Sequence, residues 1–176
     1  MASDVRLTAD LDAGSRSRVR ALLDEAFEGA FGSHDWAHAL GGVHALVHDG
    51  ERLVGHGAVV ERRLLHGQHV LRTGYVEAVA VAPDQRRRGV ASAVMDALER
   101  VIRADHDLGA LSASEDGAHL YAARGWLLWR GPTSVLAPEG VRRTPGDDGS
   151  VHVLPGRAPL DPDGELTCDW RAGDVW

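Results

Sequence analysis

Val79-Ala80-Val81-Ala82-Pro83-Asp84-Gln85-Arg86-Arg87-Arg88-Gly89-Val90-Ala91 is the stretch that decides the fold. An apolar run with β-branched residues ends at Pro83, which cannot continue a central strand. A basic turn follows. Gly89 and Ala91 then open a helix whose apolar residues Val90, Val94, Leu98, Val101 and Ile102 fall on one face. The first turn of a helix leaves backbone N–H groups without intrahelical partners, and these together with the helix dipole attract an anion. Small residues let a phosphate approach the backbone closely. The triple arginine alone reads better as a solvated basic turn ahead of an ordinary helix. With Gly89 and Ala91 correctly placed behind the strand, a phosphate site is the better reading.

Upstream, Arg6–Thr8 reads as a first strand. Ser15 or Ser17 is expected to cap a helix through Val19, Leu22, Leu23, Ala26 and Phe27. Asp35 is expected to cap a helical turn over Trp36–Leu40. Val43–His48, Leu53–Leu65 and Val70–Ala82 read as strands, turned at Asp49-Gly50 and Gly67. Downstream come a short strand Leu108–Leu111, a helix Asp116–Ala123 closed by Gly125, and strands Trp126–Trp129, Thr133–Leu136 and Val151–Leu154. Pro138–Gly149 reads as a long loop. The pattern is α+β, a mixed and mostly antiparallel central sheet flanked by helices. A chain of 176 residues is expected to form a single domain, 1–176.

Composition narrows the function. The net charge is -7, and all 19 basic residues are arginine. An acidic chain attracts cationic small molecules and does not suit a nucleic-acid partner. Without lysine there is neither Schiff-base chemistry nor a Walker-type lysine. One cysteine, Cys168, excludes an intramolecular disulfide framework; it lies in a strand-like run and reads as a small buried residue. No run approaches 18 apolar residues, so no membrane span is expected. The N-terminus lacks a secretory pattern, which points to the cytoplasm. His34 and His38 flank Asp35 without a third ligand, so no metal is expected.

The Arg86-x-x-Gly89-x-Ala91 segment resembles the acetyl-CoA pyrophosphate loop of the GCN5-related N-acetyltransferase (GNAT) superfamily. Tyr121 followed by Gly125-Trp126 fits the same pattern. The runs Asp35-Trp36, Leu40-Gly41-Gly42, Gly74-Tyr75-Val76-Glu77, Gly131–Pro138 and Cys168–Trp176 look like the aminoglycoside 2′-N-acetyltransferases, and the likeness covers nearly the whole chain. The resemblance implies a GNAT fold, acetyl-CoA as co-substrate, an aminoglycoside as acceptor and, commonly in this group, a homodimer. Acetyl-CoA would be held by Val79, Val81, Arg86, Arg87, Arg88, Gly89, Val90 and Ala91. By position the superfamily's strand bulge would fall at Val79–Val81.

Glu77, two residues earlier, is expected to share the face of Val79 and Val81. The resemblance makes it a base acting through water, or a carboxylate that holds the substrate ammonium; a strand-end glutamate paired with an arginine is the plain alternative. Tyr121 would be the general acid, against a core tyrosine. Asp35, Glu77, Ser112, Asp147, Asp174 and Trp176 would bind the polycation. Asp35 also reads as a helix cap, and Asp147 as a solvated loop acid. Trp176 would anchor the chain end and bring its carboxylate beside that of Asp174. Ala30 stands where the family pattern has an acid. The rival readings are a GNAT enzyme for another amine (a polyamine, a cell-wall amino sugar or a peptide N-terminus) and a non-catalytic acyl-CoA sensor.

Overall fold

The structure, a computed structural model, describes residues 4–176. The described residues gather into two compact units. The first comprises residues up to Val60 with Val76–Val101; the second comprises Glu61–Tyr75 with Ile102–Trp176. The long strands β3 (Arg52–His66) and β4 (His69–Val81) and helix α3 (Val90–Asp105) contribute residues to both.

In the first unit, β1 (Asp4–Thr8) pairs antiparallel with β2 (Val43–Asp49), and β2 pairs antiparallel with β3. Helices α1 (Ala13–Ala26) and α2 (Ser33–Ala39) precede β2. Two glycines of β3 set where α3 packs. A Cβ on Gly55 would lie 2.5 Å from Val90 Cγ1, and one on Gly57 2.7 Å from Val94 Cγ1. The helix therefore lies close against β3 and buries Val94, Met95, Ala97 and Leu98 completely. Each large apolar side chain so buried contributes about 1.5–3 kcal/mol.

The second unit holds β5 (Leu108–Ser112), α4 (Glu115–Ala123) and β6 to β10: Leu127–Leu128, Thr133–Ala137, Gly140–Arg143, Val151–Leu154 and Leu166–Asp169. β5 pairs parallel with β4 and antiparallel with β9, and β6 pairs antiparallel with β9. β10 lies between β3 and β7, antiparallel to the first and parallel to the second, and β8 closes a hairpin with β7. This is the mixed, mostly antiparallel α+β sheet expected. No described helix is long and apolar enough to cross a membrane.

Four local expectations are corrected. Asp12, not Ser15 or Ser17, caps α1, its carboxylate accepting the Ser15 N–H at 2.7 Å. Asp35 is not the first residue outside α2 but sits in its first turn, reaching back to accept the Gly32 N–H at 2.7 Å. Pro138–Gly149 is not all loop, because Gly140–Arg143 forms β8 against β7. The Trp126–Trp129 strand shrinks to Leu127–Leu128, because the Trp126 amide bonds back to Tyr121 O at the end of α4.

Candidate active site

The β4–β5 ladder runs Thr73↔Leu108, Gly74↔Gly109, Tyr75↔Ala110 and stops there. β4 continues through Val76–Val81 in the first unit. Within that continuation Ala78 has φ +52°, a left-handed conformation uncommon for a residue with a Cβ. The irregularity therefore lies between Glu77 and Val79, one residue ahead of the Val79–Val81 span expected to carry it. Strict alternation fails across it, so the prediction that Glu77 shares the face of Val79 and Val81 loses its basis. Val79 Cγ2 approaches Gly57, on the side where α3 packs. Glu77 is half-buried.

Beyond β4 the chain is held firmly. The Ala82 N–H donates to Val54 O at 2.9 Å, and Pro83–Gln85 forms a short 3-10 turn. Arg52 grips Asp84 with two hydrogen bonds of 2.7 and 2.9 Å, which hold that carboxyl down at about 2. Arg86 donates to Ala26 O at 3.1 Å and so ties the turn to the end of α1. Arg87 (φ +60°) and Gly89 (φ +82°) are both left-handed. The first α3 hydrogen bond runs from the Ala93 N–H to Gly89 O, so the amides of Val90, Ala91 and Ser92 precede the helical ladder. Arg87 and Arg88 are exposed, and nothing lies within 4 Å of the place a Cβ on Gly89 would take. An open basic turn with forward amides has the chemistry of a pyrophosphate cradle. Ser92, half-buried in the same first turn, was not singled out from the sequence.

The second unit holds Tyr121 and four of the residues expected from the sequence to meet the acceptor. The Tyr121 ring packs near Trp126 and His152, and burial pushes its phenol up to about 12. It is protonated at neutral pH and has a proton to give.

Ser112, Asp147, Asp174 and Trp176 join through a chain of hydrogen bonds. Ser112 Oγ meets Ser150 Oγ at 3.2 Å, and Ser150 donates to Asp147 O at 2.8 Å. The Asp147 N–H donates to Thr144 O at 2.9 Å. Thr144 Oγ1 accepts the indole N–H of buried Trp176 at 2.9 Å, and the Trp176 amide reaches Asp174 Oδ1 at 3.3 Å. Arg171 closes the group, donating to Asp174 O at 2.8 Å and Trp176 O at 3.1 Å. Cys168 Sγ, fully buried, donates to Val175 O.

The adjacent acids Asp147 and Asp148 divide their tasks. Asp148 accepts from the Thr133 N–H and hydroxyl and from Arg143, which together hold its carboxyl well below the usual range. Asp147 is pushed up, first by burial and then by the Asp174 charge. A carboxylate kept at such a cost is suited to meeting a cation. Thr144, Ser150 and Arg171 carry no motif that would have marked them in the sequence.

A family model described as an acetyltransferase (GNAT) domain matches residues 11–128. This chain belongs to the GNAT acetyltransferases. An aminoglycoside 2′-N-acetyltransferase from Mycolicibacterium fortuitum is 55% identical to this GNAT chain over 173 residues, 96% of this chain and 89% of the relative. The likeness inferred from Asp35-Trp36 through Cys168–Trp176 is thereby borne out. Among solved structures, a GNAT acetyltransferase from Brucella melitensis in complex with acetyl-CoA has a TM-score of 0.62 at 14% identity, covering 96% of this chain and 97% of that one. A GCN5-related N-acetyltransferase from Kribbella flavida gives 0.60 at 22% identity over 74% of this chain; the match spans only 34% of that longer protein. At these identities the two structures bear on the fold alone, and they agree with the GNAT fold expected.

Proposed function

We propose that this GNAT acetyltransferase moves the acetyl group of acetyl-CoA to the 2′-amino group of an aminoglycoside, by direct attack within a ternary complex. The observation that carries the reading is the 55% identity along nearly the whole chain to an enzyme of that name. The joined carboxylate patch of Asp147 and Asp174 supports it, because a polycationic amine needs acidic partners. The family match runs across residues of both units, which favours a single acetyltransferase domain.

In this reading the forward amides of Val90 and Ala91, with Gly89, Arg87 and Arg88, take the pyrophosphate. Arg86 contributes through the turn it ties down. The backbone of Val79 and Val81 takes the pantetheine arm, and a β4 N–H faces the thioester oxygen, where it stabilises the oxyanion. Glu77 holds the substrate ammonium or draws its proton through water. Tyr121 donates to the departing thiolate; a phenol at about 12 stays protonated until that charge develops. Asp35, Ser112, Asp147, Asp174 and Trp176 bind the aminoglycoside. The enzyme acts in the cytoplasm as a homodimer.

A CoA-release assay over an aminoglycoside panel tests the reading. Kanamycin B, with an amine at 2′, is acetylated; kanamycin A, with a hydroxyl there, is a poor acceptor. Equal N-acetylation of both at another ring removes the 2′ assignment. Turnover only with polyamines or peptides removes the aminoglycoside.

A further inference from the structure

Two buried histidines of the first unit have no part in that mechanism. His44 on β2 and His56 on β3 are 1% and 0% exposed. The register pairs Leu46 with His56 and His44 with Ala58. The two imidazoles are thus diagonal neighbours on one face of the strands, opposite the Gly55–Gly57 face that receives α3. His44 Nδ1 lies 3.0 Å from His56 Nε2, and His56 Nδ1 lies 2.9 Å from Ala78 O.

The hydrogens follow from the partners. A carbonyl oxygen only accepts, so His56 Nδ1 carries the proton. In a neutral ring Nε2 then accepts, so His44 Nδ1 is the donor to it. Burial keeps both rings neutral, pushing His56 down to about 4 and His44 also down, with the Arg16 guanidinium adding to the effect on His44. The relay ends on the one non-glycine residue of the described strands with a left-handed φ. Such a conformation persists only where its surroundings over-determine it.

We propose that His44 and His56 are positioning residues for acetyl transfer: the chain His44 Nδ1–H to His56 Nε2 and His56 Nδ1–H to Ala78 O holds Ala78 left-handed, and this aims the Glu77 carboxylate before it and the Val79 backbone after it. The consequence for catalysis rests on the roles given above to Glu77 and Val79; the hydrogen-bond chain does not. Apolar side chains of similar volume would fill the same space, and a buried polar pair is not needed for stability. What the imidazoles add is a direction for one carbonyl.

The test compares shape with donor. His56→Phe fills the space and removes the donor. His56→Asn keeps an amide N–H near the place of Nδ1. Against wild type, the Phe variant loses at least tenfold in kcat for a 2′-amino aminoglycoside, with the amine KM within about twofold, and its Kd for acetyl-CoA rises several-fold. The Asn variant recovers most of both at a Tm no higher than that of the Phe variant. If His56→Phe does not fold, His44→Leu against His44→Asn gives the same contrast with a several-fold effect. Equal kcat and equal acetyl-CoA Kd within either pair overturn the proposal. Long-range 1H–15N NMR of the wild type reads the chain without any turnover: His56 protonated on Nδ1 supports it, and His56 protonated on Nε2 overturns it. If the wild type acetylates no 2′-amine, the proposed acceptor falls, while the tautomer and the acetyl-CoA Kd still decide this inference.

Discussion

The turn at Pro83–Ala91 and the patch around Trp176 are built on opposite principles. In the proposed function the turn would recognise with backbone: left-handed Arg87 and Gly89 and the forward amides of α3. Arginines also serve it as struts, Arg52 of β3 on Asp84 and the turn's own Arg86 on Ala26. The patch, in the same proposal, would recognise with side chains. Ser112, Thr144, Asp147, Ser150, Arg171, Asp174 and Trp176 come from three stretches of chain and are joined through hydrogen bonds. A backbone site tolerates changes in most side chains but not in conformation. A side-chain site tolerates neither loss of a partner nor loss of charge.

The contrast can be broken most strongly with acid. His56 titrates near 4 when folded against 6.5 when free. Its folded value is depressed, so the unfolded state takes the proton first. The His56 contribution is therefore level above pH 6.5, falls between 6.5 and about 4, and levels again, while the ion-paired carboxyls of Asp84 and Asp148 lose theirs at lower pH. The loss approaches about 3 kcal/mol, at about 1.4 per pH unit. Denaturant melts from pH 8 to 4 check this, and His56→Asn flattens the slope. A wild type with no slope in that window refutes the neutral buried pair.

Next in size is Gly89→Asp. The left-handed φ costs an L-residue about 1–2 kcal/mol, and the carboxylate repels a pyrophosphate from the helix N-terminus. Acetyl-CoA affinity falls about thirtyfold, about 2 kcal/mol, while the amine KM holds. Calorimetry on a folded variant measures it, and Gly89→Ala separates strain from charge.

Thr144→Val strikes the patch through its scaffold. It leaves the buried indole N–H of Trp176 without its acceptor, at about 1–2 kcal/mol of stability. The amine KM rises and acetyl-CoA binding stays. If the two ligands weaken equally, the patch is not specific to the acceptor.

The smallest effect is the most pointed. Asp147→Asn removes a carboxylate that burial and Asp174 already disfavour. The free protein becomes slightly more stable while the aminoglycoside KM rises several-fold. A lower Tm with an unchanged KM would make Asp147 a structural acid, as Asp148 is.

Legibility in the sequence followed the same division. Local signals carried the turn, because Pro83, Gly89 and Ala91 act on their own neighbours. They also carried the glycine turns, most strand centres and the apolar face of α3. Signals failed where a long-range partner decided the outcome. β8 exists because Gly140–Arg143 meets Thr133–Ala137, and no alternation announces it. Asp12 outcompeted the serines for the α1 cap by reaching the Ser15 amide. The left-handed residue of β4 is Ala78, where neither a glycine nor a break in hydrophobicity marks it; the imidazole that meets its carbonyl comes from 22 residues earlier. Asp147 and Asp148 are indistinguishable as letters, and only Thr133 and Arg143 tell them apart.

Arg171 holds Asp174 and Trp176 by their backbone oxygens, inside the group assigned to the amine acceptor. A cation is useful there, since it orders acidic neighbours before a substrate arrives. A lysine could do the same, but a lysine that sheds its proton is itself an amine nucleophile, free to take an acetyl group. A guanidinium stays charged at every working pH and has no lone pair to offer. With 19 arginines and no lysine in the chain, no lysine amine competes with the incoming acceptor, and the guanidinium cations are chemically silent toward the thioester.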